Sequence, residues 1–376
     1  MTGVPAKTFG SSVPRSVAVV RMLRGLGDML CLVPALRALR AALPKAGITL
    51  IGLPWAKEFV ARFGHYVDEL VESPGYPGIP EAAARIDRLP RFFAAMQERR
   101  FDLALQMHGN GTVTNPFTVL LGARLNAGFF VPGQFCPDRD RFLPYEENEP
   151  EVIRHLRLLA LLGISPVGEN LEFPLYKEDR RALAVLPETR NLWPRTYVCV
   201  HPGSSGRGRR WPAERFALLA DAISDLGMPV VLTGNTSEAG LTRQVARAMK
   251  ARPIDCSGRT TLGAIGVLLS NAMLLVSNDT GISHLAAALQ VPSVVIFTDS
   301  EADRWAPLDR DLHRVVAADF PAGEAALKSP AGRPGSDVEK ALAAATELLR
   351  RQRHETDREP LRSKVLLRHD GGSAGN

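Results

Sequence analysis

Two successive halves, each an alternation of short apolar runs with helix-length amphipathic stretches, predict an α/β protein made of two open parallel sheets of the Rossmann-like kind. Two further observations support that class. An extended, proline-bearing stretch from Gly163 to Leu175 separates the halves. In each half, the first apolar run also breaks on a glycine-containing turn just ahead of a helix, the place where open parallel sheets bind ligands. The 376 residues, 45% hydrophobic and 23% charged, suit two domains at roughly 150 residues each and exclude a disordered or fibrous chain.

In the first half, Ser16–Arg21 reads as a buried strand ending at Gly25-Leu-Gly27. A helix is expected from about Asp28 to Leu43, because Met29, Leu32, Leu36, Leu39 and Leu43 form one apolar stripe; Pro34 should kink it or loosen its first turns. Strands follow at Ile48–Leu53, Val67–Val71 and Phe101–Met107, with a helix over Glu81–Arg99 that Pro90 divides. Residues 131–150, rich in Pro, Asp and Arg, read as a long loop, and Glu151–Leu162 as a helix.

The second half opens with a helix near Glu178–Val185. Strands Tyr197–Val200, Val230–Thr233, Met273–Ser277 and Ser293–Phe297 then alternate with helices Ala213–Leu226, Ser237–Lys250, Leu262–Leu269 and Gly281–Leu289. A last helix covers Asp337–Arg351. The expected organisation is a flexible N-terminus (1–14), a first domain (15–175), a second domain (176–335), a C-terminal helix (336–351) and a disordered basic tail (352–376).

The formal charge of +6 is concentrated at the end: seven Arg/Lys against four Asp/Glu from Arg350 onward supply +3 of it. The mildly basic body suits an anionic substrate or a membrane surface and argues against a nucleic-acid partner. The longest nearly apolar run, Leu262–Val276, is too short to span a bilayer, and Met1–Pro14 lacks the apolar core of a secretory signal, so a cytoplasmic protein is expected. Cys31, Cys136, Cys199 and Cys256 show neither metal nor disulfide spacing; Cys31, Cys199 and Cys256 have the neighbours of buried thiols.

The densest chemical signal is His201-Pro-Gly203-Ser204-Ser205-Gly206-Arg207-Gly208-Arg209-Arg210-Trp211, which leaves a strand and enters a helix. Glycines let backbone N–H groups approach an anion, serines add donors, and arginine forks bind phosphate oxygens. A solvated surface loop is the plainer alternative. Ser277-Asn278-Asp279-Thr280-Gly281-Ile282-Ser283-His284 repeats the strand-to-helix arrangement. Taken alone it reads as a helix cap; beside the arginine loop it adds amides for one diphosphate, with Asp279 placed to hold a sugar hydroxyl. Glu238, at the turn after Val230–Thr233, suits either ribose hydroxyls or the helix dipole.

Gly25-Leu-Gly27-Asp28 is not a dinucleotide fingerprint, since Leu30 occupies the third glycine position and the next strand ends at Leu53-Pro54 with no acid. Asp28 is instead either a helix cap or a general base facing an interdomain cleft. His108-Gly-Asn-Gly111 ends a strand of the same domain and, with Gly27, is assigned to the acceptor side. Asp138-Arg-Asp140 and Asp309-Arg-Asp311 match a D-x-D pattern, but neither follows a buried strand and their arginines favour salt-bridged loops, so no metal site is assigned.

Together these segments resemble glycosyltransferase family 9, the lipopolysaccharide heptosyltransferase family, from Val17 to about Pro307. The quoted landmarks occur in order: Arg24-Gly-Leu-Gly-Asp28 with Leu32-Val-Pro34-Ala-Leu36, Pro202-Gly-Ser-Ser205 with Arg209-Arg-Trp211-Pro212, Gly234 through Glu238, and Ser277 to His284. The resemblance implies a GT-B fold with two Rossmann-like domains facing a cleft and the last helix packing back on the first. It also implies metal-independent, inverting transfer from a nucleotide-diphosphate sugar, typically ADP-heptose, with no cofactor.

On that basis Asp28 is the expected base. Ser204, Ser205, Arg209, Thr280, Gly281 and Ile282 would hold the diphosphate, and Asp279, Glu238 and Thr260 the sugar, ribose and base. The expected acceptor is a lipid-linked or core oligosaccharide, with peripheral contact at the cytoplasmic face of the inner membrane. Two positions depart from the family pattern: Arg209 stands where Lys is usual, and Thr298-Asp299 replaces a glycine-rich turn. The rival readings are a noncatalytic two-lobed sugar-nucleotide binder, a periplasmic sugar receptor and a nicotinamide dehydrogenase.

Overall fold

The structure, a computed structural model, describes Phe9 and residues 13–319 and 335–369. The described residues divide into two compact units, one running to Pro174 and also holding Asp303–Trp305, the other beginning at Leu175.

In the first unit, β1 (Ser16–Val20), β2 (Gly47–Gly52), β3 (Glu69–Glu72), β4 (Leu103–Gln106), β5 (Leu125–Phe130) and β6 (Phe142–Pro144) form one parallel sheet in the order β3-β2-β1-β4-β5-β6. In the second, β7 (Val198–His201), β8 (Val230–Leu232), β9 (Ile254–Asp255), β10 (Leu274–Asn278), β11 (Ser293–Phe297) and β12 (His313–Ala317) form another in the order β12-β11-β10-β7-β8-β9. Helices cover the sheets, so the central strands are buried along their length and read as continuous apolar runs. The chain winds outward in both directions from one central pair, β1/β4 in the first sheet and β7/β10 in the second. These are the topological switch points, and the strand ends there open ligand crevices in such folds.

Several elements differ from expectation. The helix expected over 28–43 is two helices, Leu26–Leu30 and Val33–Ala42, and Pro34 lies in the first turn of the second, where its missing N–H costs nothing. Pro90 likewise opens helix Leu89–Glu98 instead of dividing a longer one. The expected loop 131–150 contains β6, and β5, β9, β12 and helix Thr114–Leu120 are additions. The pattern hid these strands for physical reasons: Asn126 and Gly128 break the apolar run of β5, β9 has two residues, and β12 is a partly exposed edge.

The final helix runs from Ser336 to His369, and 370–376 lie outside the described residues. Its stripe of Val338, Ala341, Ala345, Leu348 and Leu349 joins the core of the second unit against helix Ala213–Asp225 and β10–β12. The flexible N-terminus expected over 1–14 falls almost entirely outside the described residues, as does 320–334. Cys31, Cys199 and Cys256 are buried free thiols, as expected. Among the described residues no helix is long and apolar enough to cross a membrane.

Candidate active site: two switch points

In the second unit, β7 and β10 pair so that Ser277 lies opposite His201, bringing the turns that follow them side by side. Asn278 stitches the two turns together. Its Nδ2 donates to the carbonyls of Pro202 (2.7 Å) and Gly203 (3.3 Å), and its Oδ1 accepts the Trp211 N–H at 2.9 Å. Trp211 is fully buried, and its indole N–H donates to Asp337 Oδ2 at 2.8 Å, where Arg215 also pairs. The loop between these anchors carries Ser204, Ser205 and Arg209.

Ser204 Oγ is buried and has no hydrogen-bond partner among the described residues. Arg209 is partly exposed; it reaches Ser205 Oγ at 3.4 Å and lies 3.9 Å from Asp279 Oδ2. Arg210 is turned inward, donating to the Ser204 carbonyl at 2.8 Å. Thr280 is the N-cap of helix Gly281–Ala288 but makes no side-chain capping bond, and half-buried Gly281 and buried Ile282 form the first turn, where amide donors lack helical acceptors. Thus Ser205, Arg209 and Asp279 come together at this switch point. Thr298, at the departure from the family pattern, donates from Oγ1 to the Gly208 carbonyl at 2.8 Å and so braces the same loop.

Glu238 is buried in a capping box: its Oε2 accepts the Asn235 N–H at 2.9 Å, while Asn235 Oδ1 accepts the Glu238 N–H at 3.1 Å. The carboxylate lies against Gly203, where a Cβ would meet Oε1 at 2.2 Å, so a side chain there would displace Glu238. His201 Nε2 is 3.6 Å from Glu238 Oε2, and its Nδ1 lies 3.0 Å from Thr233 Oγ1. Burial lowers the His201 pKa against the pull of Glu238. Thr260 is half-buried one residue ahead of the helix cap, Thr261, whose hydroxyl accepts the Ala264 N–H at 3.1 Å.

In the first unit, the N-cap of helix Leu26–Leu30 is Gly25, and Asp28 is the third helical residue, so Asp28 is not the cap. Its half-buried carboxylate folds back over Gly25, where a Cβ would stand 2.2 Å from Oδ2. Gly27 is buried within the same turn. His108, just past β4, is buried; its Nδ1 accepts the Met22 N–H at 3.0 Å, which puts the ring proton on Nε2, 3.7 Å from Glu81 Oε2. Burial, reinforced by Arg21 and opposed by Glu151, lowers the His108 pKa to about 4, so the ring is neutral near pH 7.

Sequence reasoning missed Arg21, Glu151, Asn278 and Arg304, all of which organise these turns. Arg21 was legible as a charge at the end of an apolar strand, and Asn278 as an amide beside Asp279; Glu151, at the start of an expected helix, and Arg304 carried no local sign of a role. The D-x-D aspartates are used locally: Asp138 pairs with Arg141, and Asp309 Oδ1 accepts the N–H groups of Asp311 and Leu312, each at 3.0 Å. Among the described residues, no three His, Cys, Asp or Glu side chains are grouped as for a metal ion.

Solved structures with the same architecture include a family 9 glycosyl transferase from Veillonella parvula (TM-score 0.68, 22% identity, 89% of this chain and 97% of that one). Another is the ADP-heptose lipopolysaccharide heptosyltransferase II of Escherichia coli (TM-score 0.68, 19% identity, 90% and 99%). Two parallel six-stranded sheets, each with its turns gathered at a switch point, thus make this a GT-B fold. In sequence, lipopolysaccharide heptosyltransferase 2 of E. coli K12 is 24% identical over 311 residues, spanning 75% of this chain and 83% of that protein. The profile of glycosyltransferase family 9 (heptosyltransferase) matches residues 90–328, and the chain belongs to that family.

Proposed function

We propose that the protein transfers heptose, or a closely related sugar, from ADP-heptose to a lipopolysaccharide-core glycan by a single inverting displacement. One observation carries the donor half of this reading: a buried serine hydroxyl without a partner lies in an arginine-bearing loop that Asn278 ties beside an uncapped helix N-terminus. That combination suits an anion with several oxygens. Ser204, Ser205, Arg209 and the amides of Thr280, Gly281 and Ile282 would take the diphosphate. Asp279 would orient the sugar, Glu238 the ribose, and Thr260 would line the base pocket.

In the reaction, Asp28 takes the proton of the acceptor hydroxyl as its oxygen attacks the anomeric carbon. The bond from that carbon to the diphosphate breaks, and the nucleoside diphosphate leaves with the electron pair. Arg209 and the helix amides meet the charge that develops on it, which is the main electrostatic demand of the step. Gly27 and His108 shape the acceptor side from beneath, since both are buried. The acceptor's lipid would bring the protein to the cytoplasmic face of the inner membrane.

The test is incubation of the protein with ADP-heptose and a heptose-deficient lipopolysaccharide core, followed by mass spectrometry. A gain of one heptosyl residue is expected, and it should persist in excess EDTA after the enzyme has been stripped of metal. Transfer only from hexose donors would overturn the donor assignment. Activity lost with EDTA and restored by Mg²⁺ or Mn²⁺ would overturn metal independence.

A further inference from the structure

The first unit contains a buried charge cluster that none of these steps uses. Arg21, at the end of β1, is 1% exposed. Its Nε and Nη2 donate to the Asp28 carbonyl at 3.1 and 2.8 Å, and its Nη1 donates to the Met107 carbonyl at 2.6 Å. One guanidinium therefore joins the turn after β1 to the turn after β4. Behind it, Glu151 Oε2 lies 3.5 Å from Arg21 Nη2, and Glu151 is 4% exposed.

Glu151 is gripped from its other side as well. Arg304 donates to Oε1 from Nε (3.0 Å) and Nη2 (2.8 Å), and Arg154 Nε lies 3.2 Å from the same oxygen. The Arg304 Nη2 also donates to the Tyr145 hydroxyl at 2.7 Å. Burial alone would raise the Glu151 pKa, but His155, Arg21 and Arg304 outweigh it and hold the carboxyl well below its ordinary range.

Such a cluster is a poor way to gain stability, because the cost of desolvating the charges offsets their attraction; what it secures is geometry. The geometry secured is that of Asp28. Helix Leu26–Leu30 ends after five residues, and the Leu32 N–H bonds to Met29 instead of continuing the ladder to Asp28. The Asp28 carbonyl is taken by the Arg21 fork, while the absence of a Cβ at Gly25 leaves the space into which its carboxylate folds.

We propose that Arg21, held by Glu151, is a positioning residue for Asp28: it fixes the Asp28 peptide and thereby the point from which the carboxylate meets the acceptor hydroxyl. This rests on the reading of Asp28 as the base. Arg21→Lys keeps the charge facing Glu151 but loses the fork. With the acceptor turned over in the transfer assay, kcat should fall about ten-fold or more while the Kd for ADP by calorimetry stays within about two-fold.

In the Asp28→Asn background, adding Arg21→Lys should change kcat by less than about two-fold, because the group being positioned is already disabled. Losses that multiply in the double variant, or a near-wild-type kcat for Arg21→Lys beside a collapsed Asp28→Asn, would overturn the positioning role alone. A near-wild-type kcat for Asp28→Asn would overturn the base assignment and the positioning role together. If Arg21→Lys does not fold, Arg304→Gln, at the more accessible end of the cluster, takes its place. Its kcat should fall about three-fold, with the same insensitivity to ADP and the same masking by Asp28→Asn.

Discussion

The two switch points share a topology but are held together by opposite chemistry. In the first unit a charged guanidinium bridges the turns after β1 and β4, and a buried carboxylate answers it. In the second a neutral amide, Asn278, bridges the turns after β7 and β10. Under the function proposed above, the difference follows from what each turn must leave available. A turn that presents a carboxylate can be braced by cations bound to its backbone, since their charge is already answered by Glu151. A turn meant for a diphosphate must keep its positive charge and amide donors for the ligand, so a neutral brace serves it better.

The largest effect that would sharpen this contrast is on Asp28. Asn keeps the shape, and Gly25 already caps the helix, so Asp28→Asn should change stability by about 0.3–1 kcal/mol through the helix dipole. A base predicts a loss in kcat of about 10²–10⁴-fold with ADP affinity intact, because an amide cannot take the proton. If kcat instead stays within about three-fold, the first switch point presents no base.

Next come the two braces themselves, compared by chemical denaturation. Glu151→Gln leaves Arg21 and Arg304 without their buried anion and should cost about 3–5 kcal/mol. Asn278→Ala removes neutral bonds only and should cost about 1–3 kcal/mol. Equal losses would show that the two braces do not differ in kind.

At the donor turn, Arg209→Ala should weaken ADP binding by about 1.5–3 kcal/mol, ten-fold or more by calorimetry, with little change in melting temperature because the side chain is partly exposed. Unaltered affinity would move the anion contact elsewhere on the loop.

The smallest effect is in pH. His108 and His155 are buried neutral, each with a pKa lowered to about 4, first by burial and then by Arg21. Their unfolded forms titrate near 6.5, so the unfolded chain binds protons first as pH falls. Their contribution to stability is therefore complete above about 6.5 and lost between there and about 4, at up to about 1.4 kcal/mol per pH unit for each ring. His108→Gln and His155→Gln variants should each flatten that slope in urea melts taken across the window. An unchanged slope would mean that these rings are not the source of acid sensitivity.

Much of this was legible in the sequence because parallel strands buried on both faces are written as continuous apolar runs, and because the turns that follow them need glycine. The loop from His201 to Trp211 and the Ser277–His284 turn could therefore be placed at strand ends directly. Edge strands such as β6 and β12 were not legible, since half-exposed strands need no apolar run. The braces were hidden for a different reason: Arg21 meets Glu151 only after five strands have intervened, and nothing in the neighbourhood of either residue announces the other. Glu238 shows the limit in miniature. Its type and place suggest ribose, whereas its resting contacts are a capping box and the wall of Gly203.

Asp303–Trp305 is a three-residue excursion into the first unit by a stretch of chain that otherwise builds the second. The boundary at Pro174 is thus not a seam along which the protein can be divided. A first half expressed to Pro174 would lack the guanidinium that grips Glu151 Oε1, and a second half would carry that guanidinium with nothing to hold. Swapping first halves between relatives would likewise bring together an acid and an arginine with separate histories. A change at Glu151 thus bears directly on a residue 153 positions further along the chain.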